Sequence, residues 1–71
     1  METFELYNTV IGEVIDYNRY GCYVRDLDTD KIVFYFGCGR RGDKVQLSIK
    51  RINVEKEQVI CTLDSVIEYA A

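Results

Sequence analysis

Tyr20-Gly21-Cys22-Tyr23-Val24 is the stretch from which the fold is read. Two aromatic rings flank a glycine inside a run that otherwise has the composition of a β-strand. Strands favour aromatics mainly where one face is covered, so a ring on the wet face needs a reason. Two readings compete: the rings close the core of a small barrel, or they form a platform on which a flat group such as a nucleobase stacks. Successive strand residues point to opposite faces, so Tyr20 and Tyr23 share a face only if the strand is bent or bulged.

On either side of this stretch the chain reads as further strands. Residues 4–17 are rich in Val, Ile, Tyr and Thr, with Val10, Gly12 and Val14 at period two. Gly12 inside that run predicts a bend or a close backbone approach, as a strand shared by both halves of a barrel requires. The second strand runs over residues 20–27, and Asp28-Thr29-Asp30 is turn chemistry leading into a third at 31–36. The run Ile32-Val33-Phe34-Tyr35-Phe36 is too uniformly apolar to show which residues face inward. Residues 37–42 hold three glycines and predict a flexible or sharply turning loop. In residues 43–53, Val45, Leu47 and Ile49 alternate with polar residues, so one face is buried and one wet. Ile52 breaks that alternation and points to a bulge near Lys50 and Arg51. Residues 54–57 turn the chain into a fifth strand at 58–63, and Asp64 or Ser65 offers a cap for one or two helical turns in the tail.

These elements fit one domain over residues 1–71, with a core over 4–64 and a short tail at 65–71. A chain of this size buries only about 60% of its unfolded surface, so the core has to be compact and closed. The 48% hydrophobic content supplies the apolar surface and excludes disorder. Five short strands without proline predict an all-β fold, a five-stranded antiparallel Greek-key barrel of the oligonucleotide/oligosaccharide-binding (OB) type. A barrel of the Src-homology-three kind is the nearest competitor.

Three cysteines, Cys22, Cys38 and Cys61, are odd in number and widely spaced, and the chain has no histidine. Neither a disulfide framework nor a structural zinc site is expected, nor any cofactor. Reduced thiols point to a cytoplasmic location. Residues 1–7 carry Glu2 and Glu5 rather than the apolar core of a signal peptide, and no run reaches the length of a membrane span, so no membrane partner is expected. Catalysis has no support: there is no histidine, no glycine-flanked nucleophilic serine and no compact carboxylate cluster.

The net charge of −3 argues at first against nucleic acid. The charge is unevenly distributed, however. Residues 31–51 hold six bases and one acid, whereas the rest of the chain holds three bases and eleven acids.

Taken in order, Gly12-x-Val14, Tyr20-Gly21-Cys22-Tyr23-Val24, Gly42-Asp43-Lys44-Val45 and Ile60-Cys61-Thr62-Leu63 resemble the S-one RNA-binding repeat, named after the largest protein of the bacterial small ribosomal subunit. The resemblance covers residues 8–65. It implies a five-stranded barrel that binds single-stranded RNA on its second and third strands. The family's two ring positions fall on Tyr20 and Tyr23, its third-strand histidine on Phe34 or Tyr35, and its charged pair around the last turn on Asn53 and Gln58. The short 37–42 loop departs from the family, and makes the chain similar in size to bacterial translation initiation factor one and to cold-shock proteins. Asp16-Tyr17-Asn18, the Tyr20 to Val24 stretch and Ile32-Val33-Phe34-Tyr35-Phe36 resemble the three aromatic clusters of the cold-shock family.

The expected function is therefore a single-stranded RNA-binding module, with single-stranded DNA or ribosome-associated RNA as related partners. Tyr20, Tyr23 and one of Phe34 and Tyr35 would stack bases, Arg25, Lys31, Arg40 and Arg41 would hold phosphates, and Asn53 and Gln58 would supply polar contacts. The alternative is a protein-interaction barrel that has kept the fold and lost RNA. Loss of charge at Asn53 and Gln58 favours it, as does the acidic remainder of the chain.

Overall fold

The computed structural model describes residues 7–70, which form five β-strands: β1 Thr9–Tyr17, β2 Gly21–Asp26, β3 Ile32–Phe36, β4 Lys44–Asn53 and β5 Gln58–Glu68. They close into a barrel in the order β1-β2-β3-β5-β4. Four of the five pairings are antiparallel, and the barrel is closed by a parallel pairing of β3 with β5 through Phe34↔Ile60 and Tyr35↔Cys61. This is an OB-like barrel, as expected, with mixed rather than wholly antiparallel strands. The start of the expected first strand, residues 4–6, lies outside the described residues.

The barrel closes because alternate residues of every strand turn inward. Val10 and Val14 from β1, Cys22 and Val24 from β2, Val33 and Tyr35 from β3, Val45, Leu47 and Ile49 from β4, and Val59 and Cys61 from β5 form one buried cluster. Gly12 is where β1 comes against β2: a Cβ there would strike Val24 and the Arg25 carbonyl. Tertiary burial also fixes the two inward thiols. Burial pushes the Cys61 thiol up to about 12, so it stays protonated within the core.

Of four departures from regular pairing, one between β1 and β2 and three between β4 and β5, two bear on the surface. The β1 to β2 register shifts between Val14 and Asp16, and the β4 to β5 register shifts between Ile49 and Arg51. The shift between Ile49 and Arg51 is the bulge that the broken alternation predicted. In a regular strand either Lys50 or Arg51 would point inward; the extra residue lets both stay exposed.

The tail differs from expectation. Instead of helical turns, β5 continues to Glu68, with Ser65 paired to Gln46 and Glu68 to Lys44. Asp64 and Ser65 have cap chemistry, but β4 offers a template of ten residues, and its backbone hydrogen bonds outweigh a local preference for a helix start.

The 37–42 loop is anchored rather than free. Tyr35 donates its hydroxyl to the Cys38 carbonyl at 2.9 Å, Gly42 N–H donates to the Val14 carbonyl at 2.8 Å, and a Cβ at Gly39 would strike the Tyr35 hydroxyl. The Asp43 carboxylate, buried, accepts from the backbone N–H of Arg40 at 3.0 Å and of Ala70 at 2.7 Å. Those two N–H groups hold its pKa below the usual carboxylate value and tie the end of β5 to the loop.

Candidate nucleic-acid interface

The geometry of Tyr20 and Tyr23 follows from the turn that precedes β2. Asn18 Oδ1 accepts the backbone N–H of Tyr20 at 2.8 Å and of Gly21 at 3.1 Å, and Asn18 N–H donates to the Gly21 carbonyl at 2.9 Å. This Asx-type turn leaves Tyr20 in the bend before the strand, where strand alternation does not govern it. Both rings face water as a result, Tyr20 64% and Tyr23 38% exposed, and both line one depression of about 210 Å³ with Asn18, Phe34, Phe36, Gln58 and Ile60.

On β3 the open choice between Phe34 and Tyr35 resolves by register. Phe34 pairs with Tyr23 and faces outward beside it, whereas Tyr35 pairs with Cys22 and is fully buried. Tyr35 is therefore corrected from candidate binding residue to core residue, because the pleat turns its ring inward, where its hydroxyl serves the 37–42 loop. Burial and the neighbouring Cys22 thiol raise the Tyr35 phenol well above its usual range, so it remains a neutral donor.

The outward rings form a connected set. The centroids of Tyr23 and Phe34 are 5.0 Å apart and those of Phe34 and Phe36 are 5.1 Å apart, both edge to face. Phe34, only 8% exposed, is the support; Tyr23 and Phe36, the latter 64% exposed, present open faces on either side of it. Gly21 makes this possible. It pairs with Phe36, and a Cβ there would strike the Tyr35 carbonyl and come within 2.8 Å of Phe34 Cζ. The glycine between the two tyrosines is thus the seat of the Phe34 ring.

Beyond Phe36 the depression opens into a wider groove of about 650 Å³, lined by Phe36, Lys50, Arg51, Asn53, Lys56, Gln58, Ile60, Cys61 and Thr62. Phe36, Gln58 and Ile60 belong to both hollows, so rings and cations share one surface. None of Lys50, Arg51 and Lys56 forms an ion pair with a described residue. Asn53 and Gln58 pair across the β4–β5 turn and both line this groove. Asn53 Oδ1 is engaged, accepting the Lys56 backbone N–H at 3.1 Å, while Gln58 also borders a smaller hollow with Tyr23, Ile32 and Phe34.

The four cations expected to hold phosphates are not part of this surface. Arg25 is bound to Asp30 at 2.6 Å with Glu13 at 4.0 Å, and Arg41 to Asp16 at 3.1 Å. Arg40 lines a separate hollow with Cys38, Gly39, Asp43, Val66 and Tyr69. Lys31 is exposed where β3 begins, at the opposite end of the β2–β3 hairpin from Phe36. Ion pairing and strand position decide these outcomes, and neither is visible in local composition. In their place the fold supplies Phe36, Lys50, Arg51 and Lys56. The bulge signal at Ile52 was the clue for Lys50 and Arg51; Lys56 had none beyond its place in the turn.

This arrangement offers π-faces for flat groups, cations without an ion pair among the described residues for an anionic backbone, and amide groups for edge recognition. No group of three or more potential metal ligands occurs among the described residues. No protein-family model matches the chain, and no curated protein is significantly similar to it.

Proposed function

We propose that this chain binds single-stranded RNA along the groove that runs from Tyr20 and Tyr23 over Phe36 to Lys50, Arg51 and Lys56. The observation that carries the reading is the shared lining: Phe36, Gln58 and Ile60 join a ring-lined depression to a cation-lined groove. In OB-like barrels the face of the second and third strands, with the loops after the first and fourth, takes oligonucleotides. Here the ring-lined depression includes Tyr23, Phe34 and Phe36 of β2 and β3, and the cation-lined groove continues from Phe36 over β5 to the β4–β5 turn. The likeness to S-one and cold-shock domains supports the same face. Bases would stack on Tyr23 and Phe36, with Tyr20 at the margin, and the three cations would meet phosphates. With only three, affinity is modest and falls as salt rises, with a log–log slope of about −2.

The test is an NMR titration with an unstructured RNA oligonucleotide at low salt. Binding shifts the amides around Tyr20, Tyr23, Phe36 and Gln58; no shift at those positions refutes the reading. A matched DNA oligonucleotide in the same titration separates RNA from single-stranded DNA.

A protein-interaction barrel is the second reading, favoured by the acidic remainder of the chain and by Ile11, Ile15 and Leu27, which are exposed outside the groove. It predicts a partner that stays bound after nuclease treatment.

A further inference from the structure

Stacking is tolerant of base identity, since every base has a π-face. The depression beside Tyr23 also holds hydrogen-bonding groups, and these are not symmetric between donor and acceptor. Asn18 Oδ1 is consumed by two backbone N–H groups, at 2.8 and 3.1 Å. Those contacts fix which end of the amide is oxygen, because a reversed amide would set its NH2 against two donors. The Asn18 amide therefore presents only N–H to the depression. One N–H donates to the Tyr23 hydroxyl at a long 3.4 Å, which leaves the second N–H with no partner among the described residues, while the Tyr23 hydroxyl can still donate or accept. Gln58, on the same lining, offers both a donor and an acceptor and adapts to either kind of base edge.

We infer that the Asn18 Nδ2 donor, whose orientation the turn fixes, reads a carbonyl oxygen on the base stacked at Tyr23, so that uracil is preferred to cytosine there. The inference rests on the RNA-binding reading above. Uracil and cytosine have the same ring size, and differ on the edge in question: uracil carries a carbonyl acceptor at position 4 where cytosine carries an amino donor. An amino group at that point would face the Asn18 N–H and leave it unpaired.

The experiment compares oligouridylate and oligocytidylate of equal length by fluorescence anisotropy, for the unaltered chain and for Asn18→Asp. The carboxylate of the variant still accepts from Tyr20 and Gly21, so the turn is kept, but its free oxygen now accepts instead of donating. The unaltered chain should bind oligouridylate about three- to tenfold more tightly, as one hydrogen bond allows. Asn18→Asp should abolish or reverse that ratio, while any general loss from its added charge falls on both ligands alike. A second probe does not depend on the variant: oligouridylate carrying 4-thiouridine, whose sulfur is a weak acceptor, should bind the unaltered chain less tightly than oligouridylate itself. Equal affinity for uridine and cytidine oligomers, or a uridine preference that survives in Asn18→Asp, overturns the inference and leaves the stacking reading standing. No saturable binding of either oligomer overturns both.

Discussion

Arg41 and Lys50 are both exposed cations lying beside a tyrosine ring, Arg41 5.4 Å from the centroid of Tyr17 and Lys50 5.8 Å from that of Tyr7. They differ in what else faces them. Arg41 has Asp16 at 3.1 Å, whereas Lys50 and its groove neighbours Arg51 and Lys56 have no described carboxylate within ion-pair distance. A cation already paired gains little from a phosphate, because it must exchange one anion for another; an unpaired one gains the full interaction and releases counterions. The contrast shows that a count of bases along the chain does not locate the charge available to a ligand.

The same division runs through neighbouring rings. Tyr35 and Phe36 are consecutive, yet one belongs to the core and the loop, and the other to the groove. Tyr35→Ala should produce the largest effect of any change considered, a loss of about 4 kcal/mol in a urea melt, because it empties a fully buried aromatic site and releases the Cys38 carbonyl. Phe36→Ala should leave the melt close to that of the unaltered chain and instead weaken RNA binding by about 1 to 3 kcal/mol, read by anisotropy; Tyr23→Ala should behave alike. A Phe36→Ala protein that unfolds, or that binds normally, would erase the division.

Charge sharpens it further. Replacing Lys50, Arg51 and Lys56 together by Gln should lower the slope of log affinity against log salt by about 2, the value for three contacts to a single strand. Arg41→Gln, at the paired site, should change affinity by less than about twofold.

Acid should act on the loop end before the groove. The Asp43 pKa is lower folded than its ordinary value of 3.8, so the unfolded chain takes up the proton first. The stability this carboxylate contributes is present above that value and is lost as pH falls through the folded pKa. Urea midpoints should therefore drop between pH 5 and pH 3, in the range of ordinary carboxylates, and Asp43→Asn should flatten part of that drop. The exposed Asp16, also lowered by the Tyr17 N–H and by Arg41, contributes in the same direction.

The barrel was legible where side-chain pattern and backbone geometry coincide: the alternation of Val45, Leu47 and Ile49, the break at Ile52, and the close approach at Gly12. Three features were not. The run from Ile32 to Phe36 is apolar on both faces, since an outward aromatic cluster covers one of them, so only pairing with β2 separates Phe34 from Tyr35. The tail reads locally as a helix start and is overridden by a partner strand some twenty residues earlier in the chain. Phosphate-facing cations depend on which carboxylates the fold brings close, as Asp16 to Arg41 across 25 positions. Tyr20 and Tyr23 were legible as a pair of rings, while the Asn18 turn that brings them to one side was not.

The parallel closure between β3 and β5 spans only two residue pairs, Phe34↔Ile60 and Tyr35↔Cys61, the shortest of the five pairings. It is the seam at which the cylinder is mechanically weakest, and the outward members of that seam, Phe34 and Ile60, lie on the lining of the ring-lined depression. A strand of RNA laid across it would touch both lips at once and act as a suture. Binding should then slow amide hydrogen exchange at the seam, around Phe34, Tyr35, Ile60 and Cys61, more than at β4–β5 pairs away from it such as Gln46 and Ser65, so that occupancy of the surface is felt as rigidity of the wall beneath it.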